Sequence, residues 1–325
     1  GYVAEMLRTE GLNEFSTTDV SNLNAGKLAD RRVVILGRTA LTDAQVATLT
    51  TWVQDGGKLI ALRPDARLAG LLGITSAGGT LTEGYVKVDT TSAPGAGITG
   101  ATMQFHGTAD RYIANGGTRT VATLYTDATT TAMNPAVTLR DVGGSGGRAA
   151  AFTYDLGRSV VYTHQGNPEW AGQDRDGAID QGSAMIRSDD LFFGGSLPDF
   201  VNLDKVGIPQ ADEQQRLLAN LVTDMASETL PLPRLWYLPH GYKAAVVLTG
   251  DEHGTGNHGT EYTFDRLIEE SPAGCSVADW ECLRGSSYVY ADNSVPPATA
   301  KLYENAGFEL GLHLVVPGPN ECDNF

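Results

Sequence analysis

Three side chains suited to acid–base or metal chemistry stand together in the segment KAAVVLTGDEHG, residues 243–254. The apolar run Ala244 to Leu248 predicts a buried strand that the following Thr-Gly pair ends. Asp251, Glu252 and His253 come directly after it. A carboxylate can act as a general base, and carboxylates with imidazoles can hold a divalent ion. Because ligands and catalytic groups collect at the C-terminal ends of strands in α/β sheets and barrels, we expect these side chains at such an edge.

A further imidazole follows in a similar setting later in the chain. The segment GFELGLHLVV, residues 307–316, predicts another strand, with His313 within it or at its end. Two parallel strands would bring His313 to the same edge as the acidic pair. The sequence therefore predicts a metal site or an acid–base site there.

The N-terminal part of the chain has the pattern of a parallel α/β unit. Residues 32–37, RVVILG, predict a strand, and Thr42 to Gln54 predict an amphipathic helix. Lys58 to Leu62 predict the next strand, followed by a short helix at Ala66 to Gly73. A strand, a helix and a strand in this order form a right-handed crossover, which makes the two strands parallel.

A β-rich insertion then interrupts this pattern at residues 74–150, where Thr, Gly and Ser dominate and the strands are short. We expect it to be antiparallel. Ala149 to Tyr154 and Arg158 to Thr163 predict a hairpin that rejoins the main sheet. Gln214 to Met225 predict a strongly amphipathic helix.

The proline-rich stretch LPLPRLWYLP lies within residues 230–240 and can continue neither a helix nor a strand. It predicts a linker between a first domain, residues 1–229, and a second domain, residues 241–325. The prediction for the whole chain is therefore an α/β protein of two domains.

The composition excludes some classes of partner. With a net charge of −16 and no cluster of Lys or Arg, the chain is not suited to nucleic acid or to anionic membrane surfaces. No apolar run approaches the roughly 20 residues of a membrane span. Gly1 leads directly into a helical pattern without a signal peptide, so we expect sequence upstream. The acidic, lysine-poor composition favours a secreted or cell-surface protein.

The three cysteines all lie in the C-terminal part of the chain. Cys275 and Cys282 could form a local disulfide or one half of a metal knuckle, and the lack of a second pair favours the disulfide. A disulfide would indicate an oxidising compartment. Cys322 has no partner within the sequence, which suggests a longer parent chain or a homo-oligomer.

Two sets of residues in the first domain are candidates for binding. His164 and Trp170, in THQGNPEW, either contact a sugar or pack, and we expect His164 to end a strand. Asp174, Asp176 and Asp180, in DRDGAID, either bind calcium around a glycine turn or form a solvated acidic loop. His106 could act with Asp110 as a ligand or base, or be structural.

The first domain resembles the glutamine-amidotransferase-like fold of trehalose-utilisation and β-galactosidase-trimerisation proteins. The resemblance rests on RVVILG followed by LTDAQVATLTTWVQDGGKLIAL, and on a late strand at GRSVVYTH, residues 157–164. It implies a flavodoxin-like sheet over residues 1–225. Since no cysteine precedes Cys275, the chain lacks the thiol nucleophile of the glutaminases. We therefore expect this domain to be a scaffold or a binding module.

The second domain resembles the polysaccharide deacetylases, the nodulation-type carbohydrate esterases, through the motif Thr-Gly-Asp-Glu at residues 249–252. The resemblance implies part of a (β/α) barrel, with Asp251 as the catalytic base and Glu252 as a ligand of zinc or a similar ion. His313 matches the first histidine of the next motif, but the second is replaced by Pro317. The remaining ligand would then be His253, His258 or a residue beyond the sequence.

Two functions follow from these expectations. One is an exported, metal-dependent hydrolase that removes acyl groups from a polysaccharide or other glycan. The alternative is a non-catalytic secreted protein for carbohydrate binding or structural assembly, stabilised by calcium.

Overall fold

The computed structural model describes residues 1–175, 186, 188–195, 197–227, 234, 245–251, 259–290 and 295–313. The chain divides into two compact units, Gly1–Tyr237 and Leu238–Phe325. The predicted linker, residues 230–240, lies outside the described residues except for Arg234. No helix in the described part is long and apolar enough to cross a membrane.

The first unit combines helices with a large mixed sheet. Its helices are α1 (Tyr2–Thr9), α2 (Ala25–Leu28), α3 (Asp43–Gln54), α4 (Ala69–Leu72), α5 (Leu156–Gln165) and α6 (Gln210–Ala226). Its strands are β1 (Val33–Leu36), β2 (Lys58–Leu62), β3 (Ile74–Thr82), β4 (Tyr85–Val88), β5 (Met103–Gln104), β6 (Thr108–Ala114), β7 (Thr118–Tyr125), β8 (Thr131–Val142) and β9 (Gly147–Phe152).

Seven of these strands form one sheet in the order β1-β2-β9-β8-β7-β4-β5, and β3 pairs with β6 in a second sheet. The strands β1, β2 and β9 are parallel, and the other pairs are antiparallel. The predicted strand–helix–strand unit and the antiparallel insertion are both confirmed, and so is the mixed α/β class. A flavodoxin-like sheet, in contrast, is not confirmed, since most of the pairings in this sheet are antiparallel.

Strand β2 shows why the parallel part of the sheet is continuously apolar. Ile60 and Leu62 belong to one core cluster, which α6 completes with Leu217 and Leu218. The residues of β2 that alternate with these two belong to a second core cluster, which also contains residues of α3. Both faces of this strand are buried, as expected for a parallel strand between two helical layers.

The predicted hairpin after residue 149 is half wrong. Its first strand is β9, but RSVVYT lies in helix α5. The Asp155 side chain accepts a hydrogen bond from the Arg158 N–H at 3.1 Å, which caps the helix. Leu156, Ser159 and Val160 are buried at helical spacing. Burial of this face against the core outweighs the preference of the valines for strands.

The described part of the second unit contains three parallel strands and two helices. The strands are β10 (Thr249–Asp251), β11 (Ser286–Tyr290) and β12 (Glu309–His313), in the order β10-β11-β12. The helices α7 (Thr260–Glu269) and α8 (Pro297–Asn305) connect them in sequence. The core consists of Phe264, Tyr303 and Phe308, with Leu310 of β12 packed against it.

The predicted strand at Ala244 to Leu248 is wrong for its described part, residues 245–248. These residues form no strand, and Val246 and Val247 are 81% and 83% exposed. The strand begins at Thr249, where the sequence predicted its end. The ladder with the neighbouring strand β11 starts here, because Ser286 is level with Thr249 and its N–H donates a hydrogen bond of 2.9 Å to the Leu248 carbonyl.

Candidate functional site

One face of the sheet in the second unit carries the polar and aromatic side chains of all three strands. The register and the alternation of side chains assign eight residues to it: Thr249, Asp251, Ser286, Tyr288, Tyr290, Glu309, Gly311 and His313. We call this set the polar face. The opposite face meets the helices, since the Ser287 hydroxyl lies 2.7 Å from that of Thr260 on α7 and Leu310 joins the core.

Asp251 and His313 meet on the polar face. The Asp251 Oδ2 atom lies 3.7 Å from the His313 Nε2 atom, and the two side chains are 49% and 23% exposed. This separation is longer than a hydrogen bond, so the contact is electrostatic when the imidazole is protonated. Both groups are open enough for water and a substrate to reach them.

Their meeting follows from where the strands end. Asp251 ends β10 level with Tyr288, and His313 ends β12 level with Tyr290. Because β11 separates these strands, their backbones are about 10 Å apart, and the side chains must reach over β11. The Tyr290 ring lies 4.6 Å from the His313 ring, centroid to centroid, and so restricts the imidazole from one side.

Tyr288 and Gly311 are functional candidates that sequence reasoning missed. A Cβ atom on Gly311 would lie 2.8 and 2.9 Å from the Cδ1 and Cε1 atoms of Tyr288, so the ring rests against the glycine backbone. The available signal was the alternation in SSYVY and FELGLH, which assigns Tyr288 and Gly311 to the face that also carries His313.

The remaining metal-ligand candidates, Glu252, His253 and His258, lie outside the described residues. Among the residues that the structure describes, no group of three or more His, Cys, Asp or Glu could hold a metal ion. Of the predicted base and ligand residues, the described part of the chain thus contributes the carboxylate of Asp251 and the imidazole of His313. The metal site stays a prediction.

The predicted disulfide is confirmed, since Cys275 is bonded to Cys282. The closed loop contains Trp280, whose ring faces the Arg284 guanidinium at 3.9 Å. Arg284 also donates a hydrogen bond to the Val277 carbonyl. Cys322 lies outside the described residues.

The two proposed sugar-contact residues of the first unit have separate partners. His164 lies in the last turn of α5 rather than at the end of a strand, because RSVVYT is helical. Its Nε2 atom is 3.8 Å from the Asp212 Oδ1 atom. The Arg175 guanidinium lies 3.4 Å from the centre of the Trp170 ring, which also packs edge-on against Phe200. One face of the indole is therefore covered.

Of the three proposed calcium ligands, Asp176 and Asp180 lie outside the described residues. The Asp174 Oδ1 atom is buried and has no hydrogen-bond partner among the described residues. Asp190 is buried nearby in sequence and accepts a hydrogen bond from the Arg175 N–H at 2.6 Å. Calcium binding stays a prediction.

His106 pairs with Glu83 and not with Asp110. The His106 Nδ1 atom lies 2.7 Å from the Glu83 Oε2 atom, and the buried imidazole stacks on Phe200 at 3.9 Å. Asp110 instead receives two hydrogen bonds of 3.0 Å from the Arg63 guanidinium. Both pairings join distant parts of the sequence, so spacing alone could not reveal them.

Comparison with known proteins adds little to this picture. No protein-family model and no curated protein matches the chain. A β-galactosidase from Bacillus circulans sp. alkalophilus is 12% identical over 49% of this chain, with a TM-score of 0.39. An exo-β-1,4-mannosidase from Opitutaceae bacterium strain TAV5 is 16% identical over 50%, with a TM-score of 0.35.

A cytoplasmic protein from Salmonella typhimurium LT2 is 11% identical over 48% of this chain, with a TM-score of 0.37. The matched part spans 25% of the β-galactosidase, 27% of the mannosidase and 75% of the Salmonella protein. TM-scores this low do not establish a common fold, and the functional argument rests on the polar face.

Proposed function

We propose that the chain belongs to an exported, metal-dependent hydrolase of the polysaccharide deacetylase type, which removes acyl groups from a carbohydrate. The observation that carries the proposal is the approach of Asp251 to His313, 3.7 Å apart at the C-terminal ends of parallel strands. Parallel strands with helices on one face, and polar side chains at the C-terminal ends of the strands, are also what a portion of a (β/α) barrel would present. The disulfide is compatible with an oxidising compartment.

The two side chains suit the roles that the resemblance gives them. Asp251, which is half exposed, would take a proton from the attacking water. The water oxygen then bonds to the acyl carbon, and the carbon–nitrogen or carbon–oxygen bond to the sugar breaks. Asp251 can return the proton to the departing amine or alcohol, which leaves a free sugar group and a carboxylic acid.

The donor types present also fit a zinc-like ion. Imidazole nitrogen and carboxylate oxygen are among its usual ligands, and His313 would hold such an ion on the same face as the base. Glu252 is the proposed second ligand. When bound, such an ion supplies Lewis acidity that polarises the acyl carbonyl and acidifies water.

Acetate release by the purified chain tests this function. We would incubate the zinc-loaded protein with penta-N-acetylchitopentaose and with acetylated xylo-oligosaccharides, and measure free acetate. A chelator should stop the release and added zinc should restore it. If zinc-loaded protein frees no acetate from either compound, the hydrolase proposal is wrong.

A non-catalytic carbohydrate-binding protein is the second candidate. Pro317, which stands where the deacetylases have a second histidine, favours it. In that case the polar face would bind the same oligosaccharides without releasing acetate. Calorimetric binding beside the acetate assay distinguishes the two candidates.

A further inference from the structure

Tyr288 lies on the strand between the two strands that carry the side chains used by the proposed chemistry. It is in the central strand β11, level with Asp251 on one side and with Gly311 on the other. His313 lies one step further along the same face, beside Tyr290. Because the Asp251 and His313 side chains meet over β11, 3.7 Å apart, a molecule that contacts both also lies next to Tyr288.

The orientation of the Tyr288 ring depends on the absence of a side chain at Gly311. On the polar face, β12 carries Glu309, Gly311 and His313 in alternation, so the glycine leaves a gap between two larger residues. The Tyr288 ring occupies that gap, as shown by the 2.8 Å and 2.9 Å approaches that a Cβ on Gly311 would make. Any larger residue at position 311 would push the ring away, since Cβ contacts below 3.0 Å are not tolerated.

Tyr288 is 43% exposed although it lies on the middle strand. One side of the ring rests on the Gly311 backbone, and the exposed fraction leaves part of the ring accessible. An open aromatic face with a carboxylate and an imidazole beside it offers an apolar surface with polar groups at its rim. A pyranose ring has the complementary chemistry, with C–H groups on its faces and hydroxyl groups around its edge.

We propose that Tyr288 is the platform on which a sugar ring of the acylated carbohydrate stacks, and that Gly311 is the positioning residue that holds the platform in place. This inference rests on the proposed function, and it names the residues that would bind the sugar next to the base. Tyr288 contributes contact area and orientation, and Asp251 and His313 act on the acyl group.

A binding experiment with matched variants tests the platform. Calorimetry on the full chain would give Kd values for penta-N-acetylchitopentaose and for acetylated xylo-oligosaccharides. Tyr288→Leu removes the flat ring and should weaken binding about tenfold, in line with the strength of aromatic contacts. Tyr288→Phe keeps the ring and should bind within about threefold of the wild type. Melting curves show whether each variant remains folded.

Gly311→Ala tests the positioning role without changing the tyrosine. It should weaken binding about as much as Tyr288→Leu, and it should add nothing further in the double variant, because both changes remove the same platform. If Tyr288→Leu unfolds the protein, Gly311→Ala compared with Tyr288→Phe still decides the question.

The outcomes separate this inference from the proposed function. Binding that depends on Tyr288 and Gly311 without acetate release would leave the platform standing and remove the hydrolase. Acetate release with binding unchanged in Tyr288→Leu and Gly311→Ala would support the hydrolase and overturn the platform. A wild-type protein that binds neither probe would overturn the platform.

Discussion

At the scale of single residues, the half-exposed carboxylate of Asp251 carries most of the proposed chemistry. Asp251→Asn keeps the shape of the side chain but cannot take a proton from water at neutral pH. We expect acetate release to fall at least about 100-fold, the usual contribution of a general base. The melting temperature should stay close to that of the wild type, because the side chain is 49% exposed.

The first unit offers a matched control for that variant. Asp212 lies 3.8 Å from His164, in an aspartate–histidine pair of similar spacing, and its carboxylate is about as exposed as that of Asp251. Asp212→Asn should leave acetate release unchanged. Equal losses in the two variants would indicate a general effect of charge, and full activity of Asp251→Asn would remove Asp251 from the mechanism.

At the scale of elements, the turn between β7 and β8 depends on one carboxylate. Asp127 Oδ1 accepts hydrogen bonds of 2.8 Å from the Thr129 and Thr130 N–H groups. The backbone hydrogen bond from Thr129, followed by those from Thr130, lowers the pKa of Asp127 from its ordinary 3.8 to about 2. These bonds favour the ionised form in the folded protein.

This lowered pKa gives a pH dependence of definite sign. The stabilisation is present above pH 3.8, the ordinary pKa, and is lost as the pH falls through about 2. Asp127→Asn can still accept through its amide oxygen but has no charge to lose. The wild type should therefore melt above the variant at pH 5, and the difference should shrink between about pH 4 and about pH 2. A difference that stays constant down to pH 2 would contradict the assignment.

The N-cap of helix α5 is the second prediction at this scale. Asp155→Ala leaves the Arg158 N–H without its 3.1 Å hydrogen bond at the start of a helix whose inner face is buried. We expect a loss of about 1 kcal/mol in the free energy of unfolding, measured by urea denaturation. Asn24→Ala, which uncaps the short exposed helix α2, is the control and should cost less. An unchanged stability of Asp155→Ala would show that the cap is not needed.

At the scale of the whole molecule, local patterns predicted those parts of the fold whose signals are contained in one segment. Helix α3 begins at Asp43, next to the predicted start, because Thr42 and Gln45 cap each other within one turn. The cysteine pair was also predictable, since seven positions separate its members. The meeting of Asp251 and His313 followed from one rule, that parallel strands end at a common edge.

Other features depend on contacts that no segment contains. RSVVYT has the composition of a strand but becomes helix α5, because its buried face packs into the core of the first unit. The partner of His106 is Glu83, which lies between β3 and β4, whereas His106 lies between β5 and β6. Strand β10 pairs from its first residue with β11, which lies beyond an intervening helix. In each case the deciding neighbour is distant in sequence.

The disulfide gives the prediction that concerns the chain as a whole. Among the described residues of the second unit, the core is a small cluster of three aromatic residues, Phe264, Tyr303 and Phe308, with few residues packed on it. The Cys275–Cys282 bond closes a short loop, which by chain entropy contributes about 2 to 3 kcal/mol to stability. Because the chain forms two compact units, reduction should lower the stability of the second unit and leave the first unchanged.

Hydrogen exchange with and without a reductant measures this difference unit by unit. Amide protection in β11 and β12 should fall after reduction, whereas protection in β2 and β9 should not change. The double variant Cys275→Ser, Cys282→Ser should resemble the reduced protein and should not respond to reductant. Equal loss of protection in both units would mean that the disulfide stabilises the chain as one cooperative body. Unchanged protection in β11 would mean that the small core holds this unit without the disulfide.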